Sequence, residues 1–263
     1  MLELSRTVRF CLGPDGALSA DAPYDNTFAA WPPMRGLGSY YELTVTCRGE
    51  PDPVTGFFMN IKEIDRTVRS VALPIVGSAT RTDGGARLGA VLRDIMTSLS
   101  AGLGGSVTTV DLRLTPTYAL RIEGADMSRV LISQRYEFSA AHRLHARGLS
   151  DEENRRVFGK CNNPAGHGHN YQVEVTVRAP IDGDGRVTPV ERLDAIVNTA
   201  VIEKLDHKHL DRDVPQFANL NTTVENIARV IHGELKAPIE RAGLELDQVR
   251  VWETGKTVCT YRG

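Results

Sequence analysis

Cysteine is scarce in this chain, and its scarcity is the first constraint. The four cysteines, at positions 11, 47, 161 and 259, form no CxxC pair. They are too few for a disulfide framework and cannot build a cysteine-cluster zinc site, so a reducing compartment, the cytoplasm, is expected. Basic charge is not in excess either. With 31 Lys and Arg against 33 acidic residues and a formal charge of -2, no nucleic acid and no anionic membrane is expected as principal partner. The sequence has no apolar run near the length of a membrane span, and MLELSRTVRF lacks the basic start and apolar core of a signal peptide. Histidine is missing from the whole first half: all seven lie after residue 140.

Those histidines are concentrated. The stretch from Phe138 to Tyr171, FSAAHRLHARGLSDEENRRVFGKCNNPAGHGHNY, holds four of them together with Cys161. His167 and His169 lead into YQVEVTVR, where Tyr171, Val173, Val175 and Val177 alternate with polar residues at the period of a half-buried strand. Residues two apart on a strand share a face about 6–7 Å apart, so both imidazoles can converge on one ion if a third ligand comes from a neighbouring strand. His142, ending QRYEFSAAH, is the candidate. Three neutral imidazoles with one open position form a catalytic rather than a structural zinc pattern.

A length of 263 residues favours two domains, and an internal repeat supplies them. FAAWPPMRGLGSYYELTVTCR, Phe28 to Arg48, lies without gaps on FGKCNNPAGHGHNYQVEVTVR, Phe158 to Arg178. Gly36 meets Gly166, Gly38 meets Gly168 and Tyr41 meets Tyr171. The turn PDPVTG then lies opposite PIDGDG. A helical stripe follows in each half, Ile61, Ile64, Val68 and Val71 in one and Leu193, Ile196, Val197, Ala200, Val201 and Leu205 in the other.

A second helix comes next in each half. It runs through Leu88 to Leu99 in the first. In the second it begins at the capping-box spacing of Thr222 and Glu225 and is interrupted at Pro238. VDLRLTPTYALRI and VRVWETGKTVCTY read as closing strand pairs. Each repeat is therefore expected to be a four-stranded antiparallel sheet with two helices on one face, an α+β layer. Residues 1–126 and 127–263 form the two repeats. Open sheet edges call for an oligomer. At the positions of Cys161, His167 and His169 the first half has Trp31, Leu37 and Ser39, so no metal is expected there.

From about Arg135 onward the chain resembles the 6-pyruvoyltetrahydropterin synthase family, with its 6-carboxytetrahydropterin synthase relatives. The resemblance runs through FSAAHRL, SDEEN, FGKCNNPAGHGHNY, LDHKHLD, DVPQFA, TTVENIA and VWET. The first half resembles the same fold, the tunnelling fold, more weakly, best in GFFMNIKEIDRTV. The resemblance implies tandem tunnelling-fold repeats assembling into an oligomeric barrel, with Zn2+ on His142, His167 and His169. It further implies Cys161 as general base, Asp206 and His207 as its activating pair, Glu253 as anchor of a pterin ring and Thr223 as a backbone contact to it. The implied reaction converts 7,8-dihydroneopterin triphosphate to 6-pyruvoyltetrahydropterin with loss of triphosphate. No redox cofactor is implied, and no GxGxxG fingerprint is present.

On chemical grounds a thiol beside a cation or metal yields enough thiolate to act as base near neutral pH, and a carboxylate can hold a histidine in one tautomer. Cys161 as a fourth ligand, closing the site, stays open as the alternative. Two other functions stay open as well: the carboxy-forming enzyme of deazapurine synthesis, and a pterin-binding protein without catalysis. The six-residue interval from Cys161 to His167 favours the pyruvoyl product. By the family geometry, two folds per chain cannot alternate around a ring of three, so a homotrimer is favoured, with one ring of catalytic repeats stacked on one of degenerate repeats.

Overall fold

Alternating side chains in β1 (Leu2–Leu12) and β2 (Ser39–Gly49) put Val8, Phe10 and Leu12 of the one, and Leu43, Val45 and Cys47 of the other, on a single buried face. The two strands pair antiparallel along their whole length, from Leu2 opposite Gly49 to Leu12 opposite Ser39. The structure, a computed structural model, describes residues 1–14, 16, 36–82 and 87–263. Those residues divide into two units, Met1–Ile132 with Ala179–Thr188, and Ser133–Arg178 with Pro189–Gly263.

In the first unit the chain continues through α1 (Ile61–Thr67), a π turn (Val68–Ala72), α2 (Leu73–Thr82), α3 (Leu88–Gly102), β3 (Val107–Arg113) and β4 (Tyr118–Glu123). The strands form an antiparallel sheet in the order β1-β2-β3-β4. The helices close its apolar face with Ile64, Val68, Leu92, Ile95, Met96 and Leu99, all essentially fully buried. Asn60 caps α1, its side chain accepting from the Lys62 amide. The π turn alters the expected stripe: its extra residue rotates the helix, so burial passes from Val68 to Ala72, Leu73 and Val76 rather than to Val71. Ile61 is left 45% exposed.

Beyond β4 come β5 (Asp126–His142), α4 (Asp151–Phe158), β6 (His167–Pro180), α5 (Val190–Val197), a π turn (Asn198–Ile202), α6 (Glu203–Leu205), β7 (Lys208–His209), α7 (Leu210–Asp213), α8 (Val224–Arg241), β8 (Glu245–Thr254) and β9 (Thr257–Tyr261), the second unit taking β5 from Ser133 and β6 as far as Arg178. Its strand order is β5-β6-β8-β9, with β7 pairing parallel to the end of β5, Ala140 opposite Lys208 and Ala141 opposite His209. Helix α8 lies against β8 and β9. Ile227, Ile231, Leu235 and Ile239 of α8 share the core with Val249 and Val251 of β8.

Two expectations about α8 need correction. Its N-cap is Thr223, whose hydroxyl accepts from the Asn226 amide, because the hydroxyl of Thr222 is already given to Asp211. Nor does Pro238 stop the helix. The last turn runs on to Arg241, where burial of Ile239 outweighs the lost backbone bond.

Several local features recur between the units, most of them at positions the sequence alignment pairs. Phe10 and Tyr41 sit with ring centroids 5.5 Å apart, and Phe138 and Tyr171 stack at 5.0 Å. The β2–β3 register shifts at Thr46/Cys47, and the β6–β8 register shifts at Thr176/Val177. Gly36 and Gly166 have φ of 77° and 78°, and Gly56 and Gly185 have 72° and 79°. Each unit also carries a five-residue π turn, after α1 in the first and after α5 in the second.

Candidate metal centre and catalytic groups

β5 ends at His142 and β6 begins at His167, so the pleat of β6 and the end of β5 bring three imidazoles into one corner. His142, His167 and His169 each offer a ligand atom, and these atoms lie within 4.8 Å of one another. Among the described residues no other such group occurs. His142 is fully buried, and its Nδ1 lies 2.8 Å from the Thr222 carbonyl. A carbonyl can only accept, so the proton of His142 is on Nδ1 and Nε2 presents a lone pair. That Nε2 lies 3.1 Å from Nε2 of His167, close to the ~3.3 Å expected between two nitrogens each about 2.0–2.1 Å from a tetrahedral ion. His167 Nδ1 and His169 Nε2 are buried without a hydrogen-bond partner. Burial holds the pKa of His142 and of His169 below the ordinary value, opposed at His142 by the Thr222 bond and at His169 by the charge of Glu253. Neutral imidazoles of this kind suit a divalent cation.

Glu253, at the end of β8, belongs to the same corner. Its Oε1 lies 3.5 Å from His142 Nε2 and 3.8 Å from His169 Nε2. Tyr171 is fully buried against His142 and His169, with ring centroids 6.1 and 5.6 Å away. Its hydroxyl has no partner, and its pKa is pushed up, first by burial and then by the charges of Glu253, Asp211 and Cys161. Cys161 sits half-buried on a short 3-10 turn, Gly159–Asn162, entered from α4 through Gly159 at a φ of 52°. Its carbonyl accepts from the Leu144 amide, tying the turn to the segment after His142.

Asp206 and His207 lie beyond α6. Asp206 Oδ1 accepts from the Ser139 amide at 2.8 Å and Oδ2 accepts from His207 Nδ1 at 2.7 Å. The first of these bonds, then the second, holds the carboxyl below the usual carboxylate range. His207 has a φ of 55°, left-handed backbone that a non-glycine residue adopts at a cost. Its amide donates to Ser139 O at 2.7 Å and helps to hold that conformation. The ring is largely exposed and lines an open cavity of about 520 Å3 with His169, Asn170 and His209. Thr223 follows the residue whose carbonyl orients His142. The four groups His142, His167, His169 and Glu253 thus stand together, and the pair Asp206–His207 shares a cavity wall with His169. In the first unit Leu37 is 90% exposed and Ser39 is exposed, while Trp31 lies outside the described residues.

Asp211 contributes in a way that its place at the end of LDHKHLD does not reveal. Asp211 Oδ1 accepts from the Thr222 hydroxyl at 2.9 Å and Oδ2 from the Arg143 amide at 2.7 Å. One carboxylate therefore braces both the residue next to His142 and the residue whose carbonyl fixes its tautomer.

The fold and site define a protein of the α+β class with an antiparallel sheet and a three-histidine corner able to hold a metal ion. Residues 131–263 match the family model for 6-pyruvoyl tetrahydropterin synthase. A 6-pyruvoyl tetrahydrobiopterin synthase of Drosophila melanogaster is 47% identical over 133 residues, half of this chain and 79% of the relative. The Homo sapiens protein of that name is 45% identical over 141 residues, covering 53% of this chain and 96% of its own. The structure of the Caenorhabditis elegans 6-pyruvoyl tetrahydropterin synthase is 39% identical over 51% of this chain and 96% of its own, with a TM-score of 0.48. The chain belongs to the 6-pyruvoyl tetrahydropterin synthase family.

Proposed function

We propose that the chain is a zinc-dependent lyase that converts 7,8-dihydroneopterin triphosphate to 6-pyruvoyltetrahydropterin with elimination of triphosphate. The observation that carries this reading is the histidine triad with His142 locked as an Nε2 lone pair, in a chain that over about half its length is 45% and 47% identical to relatives named 6-pyruvoyl tetrahydrobiopterin synthase. His142, His167 and His169 would hold the ion, which supplies Lewis-acid acidification of the substrate side chain when bound. Cys161 removes a carbon-bound proton as thiolate. Asp206 takes the Nδ1 proton of His207 in a hydrogen bond and leaves Nε2 facing solvent and cavity, free to exchange a proton with thiol or substrate. Glu253 accepts two parallel hydrogen bonds from the amino-pyrimidine edge of the ring, and the backbone at Thr223 contacts it from the α8 cap.

The recurring ring pair, register shift, glycine conformations and π turn support descent of residues 1–126 and 127–263 from one duplicated tunnelling fold. Only the second copy would carry metal. Three chains would then close one barrel, stacking a ring of catalytic copies on a ring of degenerate ones. No helix among the described residues is long and apolar enough to cross a membrane, which agrees with action in the cytoplasm. Mass spectrometry after incubation with 7,8-dihydroneopterin triphosphate tests the function. The pyruvoyl product supports it. A carboxy product with acetaldehyde assigns the deazapurine branch instead, and no turnover leaves a binding protein.

A further inference from the structure

We propose that a second cavity of the catalytic unit, about 510 Å3 and walled by Arg143, His145, Arg147, His209 and Arg212, is a binding site for condensed phosphate. Arginines on the sheets have carboxylate partners, as in Arg6–Asp65, Arg48–Glu3, Arg121–Asp111 and Arg135–Glu174. The three in this cavity do not. Arg143 donates to the carbonyl and side-chain oxygens of Asn162, Arg147 to Ala218 O and Asn219 Oδ1, and Arg212 to Pro164 O. Neutral acceptors fix the direction of a guanidinium without cancelling its charge. One carboxylate shares the wall, Asp211, and both its oxygens are engaged by the Thr222 hydroxyl and the Arg143 amide. The cavity therefore sets three guanidinium charges against one carboxylate, an excess of positive charge whose forks are free of ion-pair partners.

His145 adds a donor. Asn162 Nδ2 lies 2.6 Å from Leu144 O, which can only accept, so the amide orientation of Asn162 is fixed and the same NH2 donates to His145 Nδ1 at 3.1 Å. The proton of neutral His145 is consequently on Nε2, an N–H donor. His209 lines the same wall, its Nδ1 3.6 Å from Asp211 Oδ2 and neither ring nitrogen hydrogen-bonded.

The cradle is also held in place before any ligand arrives. Fully buried Asn154 accepts from the Ala146 amide and donates to Ala146, Leu149 and Ser150 carbonyls, and the His145 amide donates to Asn221 Oδ1. Little ordering remains to oppose binding. Planar guanidinium forks on separate segments match an anion with several tetrahedral oxyanion centres in a row better than a lone carboxylate.

The site rests on its own lining. If the lyase reading also holds, the ligand is the triphosphate of the substrate or the same group after release. The test is calorimetric titration of inorganic triphosphate into the metal-loaded full chain, with zinc content checked afterwards. One equivalent should bind, more weakly as salt rises. Each of the exposed-residue variants Arg147→Gln and Arg212→Gln should weaken binding by about tenfold. Absence of binding, or equal affinity in the double variant, overturns the proposal. Competitive inhibition of turnover by triphosphate would place the substrate tail in the cavity, and noncompetitive inhibition a separate anion; both support the site. Arginine-dependent binding without turnover sinks the lyase reading alone, whereas turnover with arginine-independent binding sinks the cavity alone.

Discussion

Replacing Asp211 by alanine should loosen the metal centre without touching a ligand. The carboxylate accepts two hydrogen bonds, from the Thr222 hydroxyl and the Arg143 amide, and bonds to a charged group contribute about 1.5–3 kcal/mol each. Asp211 is 26% exposed, so water recovers part of this and a net loss of about 2–4 kcal/mol in folding stability follows. The loss in metal affinity arises separately. Thr222 and Arg143 are released together, and with them the carbonyl that holds His142 Nδ1 at 2.8 Å. Partners of this kind typically change metal affinity by about 10–100-fold. Competition for zinc against a chromophoric chelator, on protein shown to be folded and in phosphate-free buffer, reads the effect. Asp211→Asn, which keeps an acceptor for Thr222 but offers the Arg143 amide a donor, should fall between wild type and alanine. If Asp211→Ala binds zinc within about twofold of wild type, His142 is not held through this chain of bonds.

Glu253→Gln should leave metal content unchanged and raise KM, since the amide can accept only one of the two pterin hydrogen bonds. Loss of metal would instead make Glu253, 3.5 Å from His142 Nε2, a ligand. His232, buried beside Tyr261 with an unpartnered Nε2, has its pKa lowered by burial and then by Lys236. Its native state resists protonation, so its contribution is intact above about pH 6.5, where both states are neutral, and stability falls below that as the unfolded chain takes up the proton. Denaturant midpoints measured for wild type and His232→Gln across this range should converge as the pH drops. Parallel curves would assign the acid sensitivity elsewhere.

The histidine triad was legible because its information is local. The pair HGH has strand period, and His142 closes a strand that is its neighbour. The two-helix, four-strand order was legible for the same reason, through stripes such as Leu88 to Leu99. What escaped depends on juxtaposition. Thr222 and Thr223 both look like caps, and only the arrival of Asp211 from α7 decides which hydroxyl is free. The π turns add a residue with no change in composition, which is why Val71 loses its expected place to Ala72. The charge of Arg147 and Arg212 acquires meaning only when the carboxylates around them are found to be absent or engaged.

The central claim is an open three-histidine site served by a separate thiol. Zinc content of Cys161→Ala tests it most directly: one ion per chain, as in wild type, is the predicted result. A protein that folds but has lost its zinc would make Cys161 the fourth ligand and contradict the mechanism.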